Sequence, residues 1–311
     1  MDTPVLIVGC GDLGTEAGLR FTAAGHRVTG WRRNPSVLPP VLHGRAADVT
    51  DPSSLPPVDP ATGIVVICLT PAARDAAGYR ATYVAGTRAA LAAVDAAGAR
   101  PRVLFVSSTS VVGVDDGSVV DESWDVASGA PASATAAVLG EAEELVLARP
   151  GGVVLRLAGV YGPGRTRLID RARSGGVGRV GHWTNRIHRD DAASALVHLA
   201  TVPEPAPVYH GVDDEPAREA DVLAFLAGEL SSGGGCIAPT GSVAASGSPS
   251  LSGMAPDLAG GSPSPRDVGD DAPTGKRLPN DLLRATGWSP AYPSYREGYR
   301  AVLAGVGTRH P

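Results

Sequence analysis

Three glycines near the start of the chain carry the first chemical suggestion. In "VGCGDLGTEAG", Gly9, Gly11 and Gly14 stand in G-x-G-x-x-G spacing. The stretch follows a short apolar run, "PVLIVG" (4–9), and leads into a helical pattern over 14–25. In that setting Gly9 permits a tight turn, Gly11 lets the backbone approach a pyrophosphate, and Gly14 allows close packing of helix on strand. The loop residues Cys10, Asp12 and Leu13 complete the expected cradle, and the helix N-terminus adds N–H groups and a partial positive charge. At the end of the next strand-like run (26–31), where an NAD site commonly carries an acid for the ribose 2′-hydroxyl, the chain reads "TGWRRN". Arg32 and Arg33 suit a 2′-phosphate instead, through charge-assisted bonds. The expected cofactor is therefore NADP, with NAD the alternative. Asp48 in "ADVTD" could hydrogen-bond the adenine or be an ordinary loop acid, and Val49 beside it is expected to line the cofactor. Leu69 and Thr70, after the apolar run 63–69, are expected to complete the cofactor lining.

The elements that must position these residues alternate. Strand patterns fall at 4–9, 26–31, 63–69, 101–108 and 152–160, separated by helical patterns at 14–25, 79–98 and 131–150. Strands this apolar, joined through helices, predict a parallel sheet covered on both faces. Further helices are expected at 189–202, with acidic residues at its start, and at 215–230. Residues 231–272 are rich in Gly, Ser and Pro and read as a disordered insert; order is expected to resume from 275.

Several function classes are disfavoured by composition. The 311 residues carry a formal charge of −5, which suits neither nucleic acid nor an anionic membrane surface. No apolar run approaches the roughly 20 residues of a membrane span. Cys10, Cys68 and Cys236 form no C-x-x-C pair, so neither a disulfide framework nor a metal site is expected. The N-terminus shows no basic leader, and a reducing, cytoplasmic setting is the expectation. Lys276 is the only lysine, so chemistry needing an ammonium group must use it.

The ordered set "VGCGDLG", "ADVTDP", "VSSTSVVG", "LRLAGVYGPGR", "NRIHRDDAASAL", "VYHGVDDEP" and "KRLPNDLLRATGW" resembles the extended short-chain dehydrogenase/reductase superfamily. It resembles most its atypical, NAD(P)-dependent epimerase/dehydratase-like branch. The resemblance spans nearly the whole chain outside 231–272. It implies an α/β, doubly wound parallel Rossmann sheet with a smaller C-terminal substrate-binding part. The dinucleotide-binding unit would be residues 1–165, with 185–202 returning to it, and 166–311 would mainly serve the substrate. A small-molecule substrate or effector and a homodimer paired through the 79–98 and 131–150 helices are also implied.

Active members of that superfamily use a strand-end Ser/Thr and a helical Y-x-x-x-K pair. Ser108, five residues before Gly113, matches the hydroxyl position, with Thr109 its neighbour. The helix at 131–150 has neither Tyr nor Lys. Taking Glu143 as the glutamate four residues beyond the family lysine places the pair at Thr135 and Leu139; taking Glu144 places it at Ala136 and Gly140. Tyr161, on a loop after a strand, is the remaining candidate for proton transfer, with a packed aromatic as the competing reading. His188 is read as part of a hydrogen-bond network with Asp190 and Asp191. Two functions follow: an oxidoreductase or epimerase/dehydratase-like enzyme, or a dinucleotide sensor without catalysis.

Overall fold

A computed structural model describes residues 3–124, 131–232 and 272–311. Most of the 231–272 insert lies outside the described residues.

The first half winds strand and helix in turn: β1 (Val5–Val8), α1 (Asp12–Ala23), β2 (Val28–Arg32), β3 (His43–Ala46) and β4 (Ile64–Ile67). There follow α2 (Ala76–Tyr79), a π-helical segment (Arg80–Ala85), α3 (Gly86–Ala96), β5 (Arg102–Ser108), α4 (Ala134–Leu147) and β6 (Val153–Leu157). The second half contains β7 (Gly159–Tyr161), α5 (Arg167–Arg173), β8 (His182–Thr184), β9 (Arg186–His188), α6 (Arg189–Thr201) and β10 (Val208–Gly211). The chain then forms β11 (Ala217–Arg218), α7 (Glu219–Ser232), β12 (Thr274–Gly275), α8 (Asp281–Ala285) and α9 (Tyr295–Leu303).

Seven strands form one sheet in the order β10-β6-β5-β4-β1-β2-β3, every neighbour parallel. The alternation of side chains along a strand divides its core in two. Leu6, Val8, Val65, Ile67, Val103 and Phe105 pack with Leu91, Val94, Leu139 and Val146 from α3 and α4. Val5, Ile7, Ile64, Val66 and Leu104 pack with Ala17, Phe21, Leu196 and Leu199 from α1 and α6. This is the doubly wound α/β Rossmann arrangement expected from the sequence. The chain reverses direction across the sheet between β1 and β4, and their carboxyl ends open the crevice where such sheets bind ligands. The sequence pattern shows neither β3 nor the division of the expected strand 152–160 into β6 and β7. β3 is exposed along its length, so it lacks the apolar run that marks a buried strand.

A second, smaller core joins α5, α7 and α9 through Ile169, Val222, Leu226, Tyr295 and Tyr299. Beside it lies the three-stranded sheet β11-β8-β12. Among the described residues no helix is long and apolar enough to cross a membrane, and no group of three His, Cys, Asp or Glu is placed to hold a metal.

Candidate functional site

The glycine loop shows three distinct geometries. Gly9 has φ +87°, and a Cβ there would lie 2.4 Å from the Cys68 carbonyl oxygen, too close for any L side chain. A Cβ on Gly14 would lie 2.8 Å from the Gly9 carbonyl oxygen and 3.1 Å from Ile7, so α1 packs onto the loop backbone. A Cβ on Gly11 would meet nothing within 4 Å. Two glycines thus serve the protein's own packing, while Gly11 keeps open the space that a pyrophosphate needs. Asp12 and Leu13 carry first-turn N–H groups, which lack intrahelical acceptors and face an anion by default. These residues fit a dinucleotide phosphate.

Of the other residues expected at the cofactor, Leu69 lies against Gly9, and Arg32 follows Trp31, whose carbonyl accepts from the Cys10 amide. Cys10 is buried, its Sγ 3.8 Å from the Thr15 hydroxyl; burial pushes its thiol up, which keeps it protonated. Arg32 ends β2 half-exposed, close enough to Cys10 to act on its ionisation, and Arg33 is exposed beside Asp48. Asp48 Oδ1 accepts from the Thr50 amide (2.9 Å) and hydroxyl (2.7 Å), which hold its carboxyl below the usual range. Val49 is half-buried against Gly86. Leu69 is buried against Gly9, its carbonyl accepting from the Tyr83 hydroxyl at 3.3 Å, and Thr70 is exposed.

Asp12 brings a carboxylate to the phosphate cradle, and the fold compensates it. Its Oδ2 accepts from Arg165 Nε at 2.9 Å and its Oδ1 from Arg189 Nη1 at 2.8 Å. Arg189, only 1 % exposed, also bonds Asp190 at 2.6 Å and lies 3.6 Å from Glu16. From the sequence the acids at 190–191 suit the helix dipole and a network with His188, and nothing there points to Asp12. The buried guanidinium between Asp190 and Asp12 joins α6 to the glycine loop, a long-range pairing that no local pattern reveals.

At the end of β5, successive serines face opposite ways. Ser107 Oγ donates to Glu143 at 2.6 Å, and Glu143 receives Arg156 Nη2 at 2.8 Å, all buried. Glu144 is exposed. Glu143 is therefore the glutamate that anchors α4; counted from it, the family pair would fall at Thr135 and Leu139, and counted from Glu144 at Ala136 and Gly140, both buried. Thr135 is half-buried, its hydroxyl 2.9 Å from that of the N-cap Ser133. Leu139 is 1 % exposed within the core.

The two candidate catalytic side chains are engaged locally. Ser108 is buried, and its Oγ accepts from the Ser110 amide at 3.2 Å as an N-cap. Tyr161 is 3 % exposed, stacks on Tyr299 with ring centroids 4.4 Å apart, and donates to the Ser294 carbonyl at 3.4 Å. Burial pushes its phenol well up. Tyr161 is thus packed among aromatic rings, with its hydroxyl already turned to a backbone carbonyl. His188 caps α6, its Nδ1 accepting from the Asp190 amide at 3.2 Å, with its ring on Tyr292. Burial holds it down to about 4, so it stays neutral. Lys276 reaches the loop that follows β5: Nζ donates to the Val112 carbonyl, and burial lowers its pKa. Its position in the sequence carries no sign of that placement.

Comparisons with known proteins agree with this geometry. Residues 5–210 match the model of the NAD dependent epimerase/dehydratase family. Protein YeeZ of Escherichia coli is 31 % identical over 220 residues, covering 66 % of this chain and 76 % of that protein. The 3-diazoavenalumate denitrifying reductase of a Streptomyces species is 31 % identical over 230 residues, covering 68 % of each. A Methylobacillus flagellatus structure assigned as an NAD-dependent epimerase/dehydratase superposes with TM-score 0.76 at 32 % identity, covering 98 % of this chain and 99 % of its own. The Bordetella bronchiseptica enzyme WbmG in complex with NAD, 18 % identical, shares the fold with TM-score 0.69, covering 98 % of this chain and 94 % of its own. A strand–glycine turn–helix at the sheet's switch point, an open Gly11 and a family match over two thirds of the chain agree on a nicotinamide dinucleotide as cofactor, and the chain belongs to the NAD-dependent epimerase/dehydratase family.

Proposed function

We propose that the protein is an NADP-dependent oxidoreductase acting on a small molecule. The observation that carries the choice of NADP is the position of Arg32, at the end of β2 and beside Cys10 of the glycine loop, where an NAD site usually presents an acid. Arg33, beside Asp48, adds a second guanidinium on the same side. The reductase name of the Streptomyces relative supports reduction over epimerisation. The nicotinamide supplies hydride when bound; this chain's residues bind and orient it. With no Tyr/Lys pair in α4, the accompanying proton comes from a hydroxyl such as that of Ser108, or from water.

Fluorescence titration with NADPH and NADH tests the cofactor. NADPH should bind at least about tenfold more tightly, the scale of one charge-assisted interaction, and Arg32→Ala should remove most of that margin. Equal affinity for both would refute the assignment. The second reading, a dinucleotide sensor without catalysis, is favoured by the apolar Leu139 where the count from Glu143 puts the lysine. Deuterium transfer from 4-deuterated NADPH to a panel of carbonyl and activated-alkene compounds separates the two, since a sensor binds but transfers nothing.

A further inference from the structure

The segment after α9 returns to the glycine loop. Gly305 (φ +74°) and Gly307 (φ +86°) turn the chain, and Gly307 lies against Pro163. The Thr308 carbonyl then accepts from Arg189 Nη2 at 2.8 Å, and Arg309 Nη1 donates to the Gly164 carbonyl at 2.8 Å. The His310 amide donates to Asp12 Oδ1 at 3.1 Å, and its ring Nε2 lies 2.9 Å from Glu16 Oε2. The Pro311 carbonyl accepts from Arg32 Nη1 at 2.9 Å. Four consecutive residues thus run from α6, across the first residue of α1, to the end of β2.

We propose that Thr308–Pro311 is a strap over the phosphate side of the dinucleotide site, and that its Pro311 carbonyl and a 2′-phosphate compete for Arg32. This rests on the NADP reading above. Three features support a docked strap over a stray tail. Its contacts fall on residues of the cradle, Asp12 and Arg32, and on Arg189, which neutralises Asp12. Three of its four residues meet a charged side chain with a main-chain group of the matching polarity: the Thr308 oxygen faces Arg189, the His310 amide Asp12, and the Pro311 oxygen Arg32. His310 is half-buried although its neighbours are exposed. A 2′-phosphate offers a guanidinium three anionic acceptor oxygens where Pro311 offers one main-chain oxygen at 2.9 Å, so NADP takes Arg32 from Pro311. NAD, without that phosphate, leaves the contact in place. The strap thereby holds Arg32 when no cofactor is bound and yields to the phosphorylated cofactor.

Hydrogen exchange on the full chain tests this directly. Added NADPH should lower protection of the His310 amide, while saturating NADH should leave it. Deleting residues 308–311 should lower the NADPH Kd about five- to tenfold, as expected for a strap docked about 80–90 % of the time, and change the NADH Kd less than about twofold. His310→Gly, which keeps the chain length and loosens the Glu16 contact, should move NADPH affinity in the same direction by less, so a deletion that fails to fold does not decide the matter. If NADPH binds all three proteins equally, or binds the shortened one more weakly, the strap is refuted and the cofactor assignment stands. If both dinucleotides lower His310 protection alike, or NADPH leaves it unchanged, competition for Arg32 is refuted. If no form binds either dinucleotide, the cofactor reading fails and the strap with it.

Discussion

Arg156→Met is expected to be among the most damaging single substitutions outside the glycine loop. Arg156 gives Nε to both Glu143 oxygens, at 3.1 and 3.2 Å, and Nη2 to one of them at 2.8 Å; Ser107 adds its hydroxyl at 2.6 Å. The two side chains are 4 % and 3 % exposed, so the lost bonds cannot be replaced by bulk water. Methionine would leave a buried carboxylate with one hydroxyl partner, at a cost of about 3–5 kcal/mol. At about 2 °C per kcal/mol for a chain of this size, the melting temperature falls by about 6–10 °C. Glu143→Leu should cost as much, because it strands the guanidinium instead. The double variant Glu143→Leu/Arg156→Met leaves no buried charge and only Ser107 without its acceptor, a penalty of about 1–2 kcal/mol. It should therefore melt above either single variant. Thermal unfolding of the four proteins at pH 7, without nucleotide, measures the cycle. A double variant that melts no higher than Arg156→Met would show that the charges themselves hold α4 in place, and would refute the reasoning from desolvation.

Gly11→Ala should cost at most about 1 kcal/mol, or about 2 °C, since its Cβ meets no protein atom and only the N-cap preference for Gly over Ala is lost, while NADPH affinity falls at least about tenfold because a methyl group blocks the pyrophosphate. Gly14→Ala should instead destabilise by about 1–3 kcal/mol through its contact with the Gly9 carbonyl; a lower melting point for Gly11→Ala than for Gly14→Ala would contradict both. Burial pushes His188 and His210 down to about 4 and Asp213 up to about 8. As pH falls from 6.5 to 4 the unfolded chain takes up the histidine protons first, so that contribution to stability is lost; as pH rises from 4 to 8 the unfolded Asp213 ionises first, so its contribution is lost the other way. The two trends oppose between pH 4 and 6.5, and Asp213→Asn should unmask a steeper rise of stability with pH there, read from urea midpoints; an unchanged slope would refute the Asp213 assignment.

The sheet is legible in the sequence because its strands are short apolar runs, and α1 because three glycines mark its start. What escapes the sequence is what depends on contacts between distant residues. Arg189 reads as one charge in "RDD", yet it is buried between Asp12 and Asp190, 177 residues from the former. His310 and Pro311 carry no motif at all, and only the turn made by Gly305 and Gly307 brings them to Asp12 and Arg32. Tyr161 and Ser108 stand out by position relative to the sheet, but position does not report whether a hydroxyl already has a partner. β3 is hidden for a related reason: its residues are exposed, so pairing with β2 and not burial defines it.

The missing Tyr/Lys pair takes on a different meaning if the buried Glu143 is taken as the reference, which puts the lysine position at Leu139. A polar site that had merely lost its proton carrier would leave a gap or a hydrated pocket at the lysine position. Leu139 instead fills that position within the core that joins α4 to β4 and β5. An ammonium group placed there would be desolvated without a described carboxylate to receive it, since Glu143 is already taken by Arg156 and Ser107. Lys276 cannot serve as a relocated copy in its present contact, because its Nζ is bonded to the Val112 carbonyl on the loop beyond Ser108. The helix is thus built around an apolar residue, while the glycine loop keeps an open Gly11 and a neutralised Asp12. The dinucleotide cradle stands without the proton-transfer pair, and the reduction proposed above must be one whose proton need not pass through α4.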